Sequence, residues 1–403
     1  MQVTVIGLTE EVQGSFEDED LKNMKTFSGK SAGICYMKEK YFDSYITDED
    51  KALKRFSSVA NNGHMSIADH ANVTVLLEEC PKIVAMILNS LQCYATSEKS
   101  GRYTEMRGGD EREQGLYEKW TGKLQKLIKE TYPEIDEAQG EKLARENARY
   151  FLSVFTPTTM SYTTTLRQWN YIVDWCGKIV VDLDKKVDKN YFEDILSAHL
   201  YVLSNKIREI LYVEELRDNK DRHISFLTEQ TRDVMGRISY KDDIIKDMYR
   251  VYYESSFAQL AQAQRHRTLK YFMQFDGNST GTFYVPDIIT DEGMISEWLD
   301  DMEIVAELIP QGMMIPVVEC GYIGDFFLKC RERLCGRAQL EIAKQTESTL
   351  KRFYSSRLNF SEGIQEELRH YVNGAWVNTK CYLNRGCKEP CRWGAKEALT
   401  RKI

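Results

Sequence analysis

The chain has 403 residues, which is enough for two or three domains or for two fused copies of one module with a substantial core. Charged residues make up 29% and the AVILMFWYC set 42%, a composition that excludes a disordered chain or a fibre. The net charge of −8 argues against a nucleic-acid polymer or an anionic membrane as the main partner. A local cationic pocket for a small anion is compatible with it.

The first residues lack the basic, apolar and small-residue sections of a secretory signal. No stretch approaches the roughly 18 apolar residues that span a bilayer, so we expect a cytoplasmic protein. Ten cysteines are too few for a disulfide framework in a chain of this length. We expect them to be thiols or metal ligands.

The predicted elements are mainly helical. Runs rich in β-branched and aromatic residues predict the strands Val3–Gly7, Val73–Leu77, Tyr249–Tyr253 and Phe283–Pro286. Apolar positions at helical spacing predict long helices over residues 112–130, 137–155, 161–178, 190–213 and 337–354. The predicted class is therefore α+β.

The order of these elements repeats in the two halves of the chain. In each half a strand leads through a short turn into an apolar helix, over Asn72–Gln92 and over Met248–Arg267. A second pair of matching segments, each followed by a helix, begins at Ala148 and at Ala306. We predict two modules, residues 1–213 and 214–403, with the joint in 214–222.

Three polar residues, Arg265-His266-Arg267, close the apolar helix of the second half, and Gln262 lies one turn earlier on the same face. Arginine offers a planar fork for a phosphate or a pair of carbonyls, and glutamine can read a base edge. A neutral histidine can stack on a cofactor ring. The structural alternative is that the arginines complement the helix dipole.

Arg-His-Arg at the end of a helix that follows a strand, with Phe283-Tyr284-Val285-Pro286 downstream, resembles the flavin-dependent thymidylate synthase family. The first half resembles the same family through other motifs: Ala32–Tyr36 (AGICY), Gly63–His70 (GHMSIADH) and Glu98–Tyr103 (EKSGRY). The resemblance covers most of both halves. It implies a tandem fusion of two divergent modules, each a small mixed sheet with flanking helices.

Each half lacks part of the family's motifs, and the losses are complementary. The first half keeps one set of nucleotide-binding positions: Glu98, Ser100, Gly101, Arg102 and Arg149. The second half keeps the other set: Gln262, Arg265 and Arg333. Where the second half should repeat Glu, Ser and Arg it has Met273, Phe275 and Gly277, and the first half has Ser90-Leu91-Gln92 in place of Arg-His-Arg. In the family two subunits supply the two sets, so the resemblance implies one complete site per fused chain.

The roles implied by the resemblance suit a pyrimidine nucleoside monophosphate. Arg102, Arg149 and the amides around Ser100 would neutralise the phosphate dianion. Gln262 and Arg333 would face the uracil carbonyl and imide groups, where a cation stabilises charge that develops when C5 attacks an electrophile. The catalytic residues would be Arg333, Arg265 and Gln262, with no cysteine nucleophile.

FAD is the implied cofactor, with methylenetetrahydrofolate and NADPH as co-substrates. The implied flavin-binding positions are His64, Ser66, Asp69, Arg167, Arg265, His266 and Arg267. Ser66-Ile67-Ala68-Asp69 also fits a helix capping box, so a structural role stays open there. Thr165 departs from the family, which has asparagine at that position.

Some relatives of the family carry a cysteine-rich C-terminal end. By this resemblance Cys335, Cys381, Cys387 and Cys391 would form a structural zinc site with four thiolates, with Cys330 as a substitute for Cys335. Free thiols are the alternative.

The function predicted from these observations is flavin-dependent C5 methylation of a pyrimidine nucleotide, of the dUMP to dTMP type. One alternative is C5 alkylation or hydroxymethylation of another pyrimidine nucleotide, and another is a non-catalytic nucleotide-binding protein. Because the family is a homotetramer, two fused chains would rebuild four modules, which predicts a homodimer.

Overall fold

A computed structural model describes residues 16–33, 48–61, 65–91, 94–101, 104–217, 247–356, 360–374, 376–383 and 391–403. The predicted strand Val3–Gly7 lies outside these ranges. Within them, no helix combines the length and the apolar character that crossing a membrane requires.

The chain begins its described part with two packed helices, α1 (Asp18–Gly33) and α2 (Glu49–Asn61), and a short 3₁₀ helix, Met65–Asp69. The apolar face of α2 is buried at Phe56 and Ala60. These two residues join Leu166 and Leu216 in a small hydrophobic cluster, which attaches the first helices to the rest of the first half.

The first sheet has the strand order β1-β3-β2. Its strands are β1 (Asn72–Pro81), β2 (Ala95–Glu98) and β3 (Pro157–Thr165). The first connection is α3 (Lys82–Ser90), and the second contains α4 (Glu111–Thr131), α5 (Glu137–Ala148) and the 3₁₀ turn Arg149–Phe151. The central strand is followed by α6 (Leu166–Asp184), α7 (Tyr191–Leu211) and the 3₁₀ turn Glu214–Leu216.

The second sheet has the strand order β4-β6-β5, so its last strand is again the central one. Its strands are β4 (Met248–Ser256), β5 (Lys270–Met273) and β6 (Met314–Tyr322). The connections contain α8 (Phe257–Ala263), α9 (Glu292–Ile304) and the 3₁₀ turn Ala306–Leu308. After β6 come α10 (Ile323–Arg333), α11 (Leu340–Ser355), α12 (Glu362–Tyr371), β7 (Val372–Asn373), β8 (Trp376–Val377) and α13 (Gly394–Glu397).

The α+β class is confirmed, but the prediction of mixed sheets is wrong. In each three-stranded sheet both outer strands pair antiparallel with the central strand. The two outer strands run in the same direction, yet the central strand separates them, so no parallel pair forms between them.

Several predicted boundaries are also wrong. The helix predicted over 161–178 begins only at Leu166, because the preceding threonine-rich run 157–165 forms the central strand. Threonine is β-branched and fits a pleated strand better than a helix. The helix predicted over 137–155 ends at Ala148 in a 3₁₀ turn, and of Phe283–Pro286 only Phe283 makes an isolated bridge, to Met313.

The two halves share one hydrophobic core. Trp120 of α4 packs edge-on against Trp298 of α9, with ring centroids 4.8 Å apart. Backbone hydrogen bonds also join the halves, since the amide of Gly312 donates to the carbonyl of Tyr150 at 2.8 Å. A Cβ at position 312 would lie 2.8 Å from the Cβ of Tyr150, so only glycine permits this close approach.

Candidate functional site

The carboxylate of Glu98 lies where the two halves meet. It ends β2, and its side chain is only 1% exposed. Arg265 of the second half places Nη2 3.2 Å from Glu98 Oε2, and Lys82 Nζ contacts Oε1. A buried carboxylate is costly without cationic partners, so these two contacts account for its burial.

Lys82 is a site residue that the sequence reasoning missed. It begins α3 immediately after β1, and the next six residues of that helix, Ile83–Leu88, are apolar. A cation at a helix N-terminus is disfavoured by the helix dipole, and that anomaly was the available signal. Burial is the main cause that lowers the pKa of Lys82, with Arg149 and Arg265 adding to it and Glu98 opposing it.

Gln339 bridges the two sets of predicted nucleotide-binding residues. Arg149 Nη2 donates to Gln339 Oε1 at 2.6 Å, and the side-chain amide of Gln262 contacts the same oxygen. Gln262 Oε1 is buried and has no hydrogen-bond partner among the residues that the structure describes. Gln262 can therefore accept a hydrogen bond from a ligand N–H.

A buried hydrogen-bond chain fixes Gln339 from behind. Its amide nitrogen contacts the hydroxyl of Tyr150, which donates to Glu341 Oε2 at 2.8 Å. Glu341 also accepts from the backbone and hydroxyl of Ser256, at 3.0 and 2.7 Å. Burial raises the pKa of Glu341, while the bonds from Ser256 and Tyr150 oppose that shift.

The Arg-His-Arg segment is not helical as predicted, because α8 ends at Ala263. Arg265 turns to Glu98, as described above, and His266 turns inward and is buried. Arg267 donates to the carbonyl of Thr96 at 3.4 Å, and its guanidinium lies 5.1 Å from the ring centroid of Tyr94. Two of the three side chains therefore contact the first half.

His266 is an acceptor for Arg333. Arg333 Nε donates to His266 Nε2 at 2.7 Å, and Arg333 Nη2 donates to the carbonyl of Gln262 at 3.3 Å. Burial, followed by the charges of Arg333 and Lys329, holds the pKa of His266 well below its usual value of 6.5. The imidazole is therefore neutral, and its lone pair orients the guanidinium.

The remaining predicted nucleotide residues lie beside Arg149 or outside the described ranges. A Cβ on Gly101 would lie 3.5 Å from Arg149 Cδ, so the loop that contains Ser100 and Gly101 packs against this arginine. Arg102 lies outside the residues that the structure describes. A cavity of about 470 Å³ is lined by Gln339, by residues of α5 and by C-terminal residues.

The predicted flavin residues lie in two places. Arg167 Nη1 is 3.2 Å from Asp69 Oδ2, and Thr165 donates to Asp69 Oδ1 at the same distance. Burial raises the pKa of Asp69, and Arg167 opposes that shift. Arg267, of the other group, contacts Thr96, which lies opposite Tyr162, three positions along β3 from Thr165, a separation of roughly 10 Å.

Ser66 is exposed near this pair, and His64 lies outside the described part of the chain. The Asp69–Arg167 pair and the segment Arg265-His266-Arg267 are thus two groups of side chains at different positions along the first sheet.

The zinc prediction is not supported by the cysteines that the structure describes. Across the described ranges, no group of three or more His, Cys, Asp or Glu side chains is arranged to hold a metal ion. Cys335, Cys381 and Cys391 therefore form no such group, nor does Cys330 complete one. Cys387 lies outside the described residues.

Three cations, Lys82, Arg149 and Arg265, and the carboxylate of Glu98 form one charged cluster, supplied by two halves of similar topology. Residues 21–175 match the family model described as thymidylate synthase complementing protein (Thy1), which represents a flavin-dependent thymidylate synthase family. The match includes Glu98, Gly101 and Arg149 but not the second half. No curated protein sequence matches the chain.

Proposed function

We propose that this protein transfers a one-carbon unit to C5 of a pyrimidine nucleoside monophosphate, in a flavin-dependent reaction of the dUMP to dTMP type. The match of residues 21–175 to the Thy1 family model supports thymidylate synthase-type activity. The observation that carries the proposal is the contact between the two residue sets, Arg265 with Glu98 and Arg149 with Gln262 through Gln339.

The charge of the cluster suits a monophosphate. Lys82, Arg149 and Arg265 carry three positive charges against the one negative charge of Glu98, which leaves an excess of two. A nucleoside monophosphate carries about two negative charges near neutral pH. Binding therefore requires little rearrangement of charge, and the amides near Gly101 add donors beside Arg149.

The pyrimidine ring would lie between Gln262 and Arg333. The buried Oε1 of Gln262 accepts an imide N–H, and the Arg333 guanidinium, held by His266, donates to a ring carbonyl. As C5 attacks the electrophilic carbon, negative charge moves toward that carbonyl. A cation fixed in advance stabilises this charge without reorganisation.

We propose further that the two halves are divergent copies of one module and that each chain holds one working nucleotide site. Both halves have the same strand order and the same succession of 3₁₀ turn, central strand and two helices. The second copy of the site has lost its charged residues, with Met273 in place of Glu98 and Cys176 in place of Arg333.

When bound, FAD would carry the reducing electrons for the carbon supplied by methylenetetrahydrofolate. The predicted flavin residues form two groups in one chain, and we propose that a homodimer completes the flavin site.

The proposal is tested by the visible absorption spectrum of the protein with added FAD, followed by turnover assays with dUMP, UMP and dCMP. Bound flavin and conversion of dUMP to dTMP are the expected results. Conversion of UMP or dCMP instead of dUMP would show that the substrate is another pyrimidine nucleotide. A hydroxymethylated product would show that the reaction is hydroxymethylation rather than methylation. Nucleotide binding without flavin would show a non-catalytic binding protein.

A further inference from the structure

A fully buried ion pair lies directly behind Arg333. Lys329 Nζ is 2.6 Å from Glu319 Oε2, and both side chains are 0% exposed. Lys329 stands on α10 one turn before Arg333, so the two side chains share a face of the helix. Glu319 stands on β6, the central strand of the second sheet.

Each strand of the second sheet supplies a side chain at this pair: β4 and β5 supply tyrosines, and β6 supplies Glu319 itself. Tyr249 and Tyr253 of β4 donate to the two oxygens of Glu319, at 2.7 and 2.8 Å. Tyr271 of β5 lies directly across the sheet from Glu319, with its ring centroid 5.7 Å from Lys329 Nζ. The pair therefore ties α10 to all three strands.

The helix α11 also contacts the pair. Lys329 Nζ donates to Gln345 Oε1 at 2.9 Å, and Gln345 donates to Thr349 at 2.8 Å. A buried ion pair adds little to stability compared with apolar residues of the same size, because desolvation offsets the attraction. Its directional contacts do fix the rotation of α10 about its axis.

We propose that the Glu319–Lys329 pair is a positioning device for Arg333 and His266, which fixes the guanidinium for the pyrimidine ring. The inference rests on the proposed function. Neither residue touches the substrate, and both act through α10. A helix held by an apolar contact alone can shift slightly, and a small misplacement of a guanidinium weakens its contact with a planar ring.

Lys329 also acts on His266 through its charge. The groups that face His266 are Arg333, Lys329 and, 3.9 Å from its Nδ1, Glu332. Removal of the Lys329 charge raises the pKa of His266 toward 6.5, and protonation then removes the acceptor for Arg333 Nε. This effect can be measured without any nucleotide.

The test is a mutant cycle on the full chain, with the dissociation constant of dUMP measured by calorimetry. The double variant Glu319→Gln/Lys329→Met keeps the volume and removes both charges together. We expect its dissociation constant to rise at least about tenfold, and to rise no further when the same pair is replaced in an Arg333→Ala background. The surface pair Lys123→Met/Glu297→Gln is the matched control and leaves binding unchanged.

Two results overturn the inference. One is a dissociation constant of the double variant within about twofold of the wild-type value. The other is a loss of affinity from the double replacement that is as large in the Arg333→Ala background as in the wild type. If the double variant shows no cooperative unfolding, Tyr253→Phe removes one bond to Glu319 and keeps the pair. We expect the dissociation constant of dUMP to rise about threefold in Tyr253→Phe, and not to rise when the same change is made in the Arg333→Ala background. A rise that persists in that background contradicts the proposal.

NMR titration of His266 separates this inference from the proposed function. If the wild type binds no dUMP, the proposed function fails. The His266 signals then test the positioning device alone, since the ring shifts at pH 7, which report the hydrogen bond from Arg333 Nε, must differ between the double variant and the wild type. Identical shifts in both proteins refute it.

Discussion

Arg265 of the second half lies 3.2 Å from the buried carboxylate of Glu98 in the first half. In the proposed tandem arrangement, each of these residues is one that its own half keeps and the other half lacks, since Ser90 and Met273 would occupy the corresponding positions. Lys82 contacts the second oxygen of the same carboxylate. The contact therefore links two incomplete sets of residues into one charged cluster.

Replacement of Arg265 by alanine should weaken binding of dUMP by about 10- to 100-fold, because a charge-assisted contact with the phosphate is lost. Binding of the uncharged nucleoside deoxyuridine should change far less. Titration calorimetry with both ligands measures the difference. Arg208→Ala, which removes a surface arginine paired with Asp174, is the matched control. Equal losses for nucleotide and nucleoside would contradict a phosphate contact.

The affinity for dUMP should fall at alkaline pH through Lys82. The charged amine is the form that binds phosphate, and burial lowers the pKa of Lys82 below its usual 10.5. As pH rises through that lowered pKa, the free protein loses the charge and the affinity declines. In Lys82→Met the affinity is lower at neutral pH and lacks this decline. A decline of the same size in the variant would assign it to another group.

His266 should make the protein sensitive to acid. Its folded-state pKa is well below 6.5, so below about pH 6.5 the unfolded chain binds a proton that the folded chain does not. The free energy of unfolding therefore falls as pH drops from 6.5 toward the folded-state pKa. Urea unfolding at pH 7 and pH 5 should show a smaller fall in His266→Gln. The exposed His370→Gln should behave like the wild type.

Gly312→Ala should lower the free energy of unfolding by about 1–3 kcal/mol, because the new Cβ overlaps Tyr150 where the halves meet. Gly115→Ala is the matched control, since its Cβ meets nothing within 4 Å in the helix α4. The Gly115→Ala change should raise the free energy of unfolding by about 0.5–1 kcal/mol. Chemical denaturation measures both. An unchanged midpoint for Gly312→Ala would show that the contact between the halves yields easily.

The protein should be a homodimer in solution. In the proposal, a second copy of the chain completes the flavin site beside the Asp69–Arg167 pair. Multi-angle light scattering at micromolar concentration gives the mass directly. A stable monomer that still binds FAD would show that one chain forms the flavin site.

The sequence predicted much of this structure where the pattern was local. The helices at 112–130 and 190–213 are found at 111–131 and 191–211, because apolar spacing is a strong signal in a long amphipathic helix. The strand 157–165 was missed. Buried and more exposed side chains alternate along this strand, as they do in a strand with one buried face. Its sequence continues into a helix without a break, and the helical spacing of the apolar residues that follow dominated the prediction.

Contacts across the halves could be predicted only through resemblance. The complementary losses led us to group Glu98 with Arg265 and Arg149 with Gln262, and these residues are close in the structure. Lys82 and Lys329 were not predicted, because neither belongs to a motif. Their importance depends on which carboxylate the fold places beside them, and that is a tertiary property.

The joining of the halves through Gly312 and Tyr150 has a consequence for how the protein responds to dilution. In an enzyme whose two residue sets lie on separate subunits, dissociation destroys the nucleotide site. Here both sets belong to one polypeptide, so the local concentration of one set around the other is fixed by the chain. Nucleotide affinity should therefore be the same at nanomolar and micromolar protein, even where flavin occupancy falls.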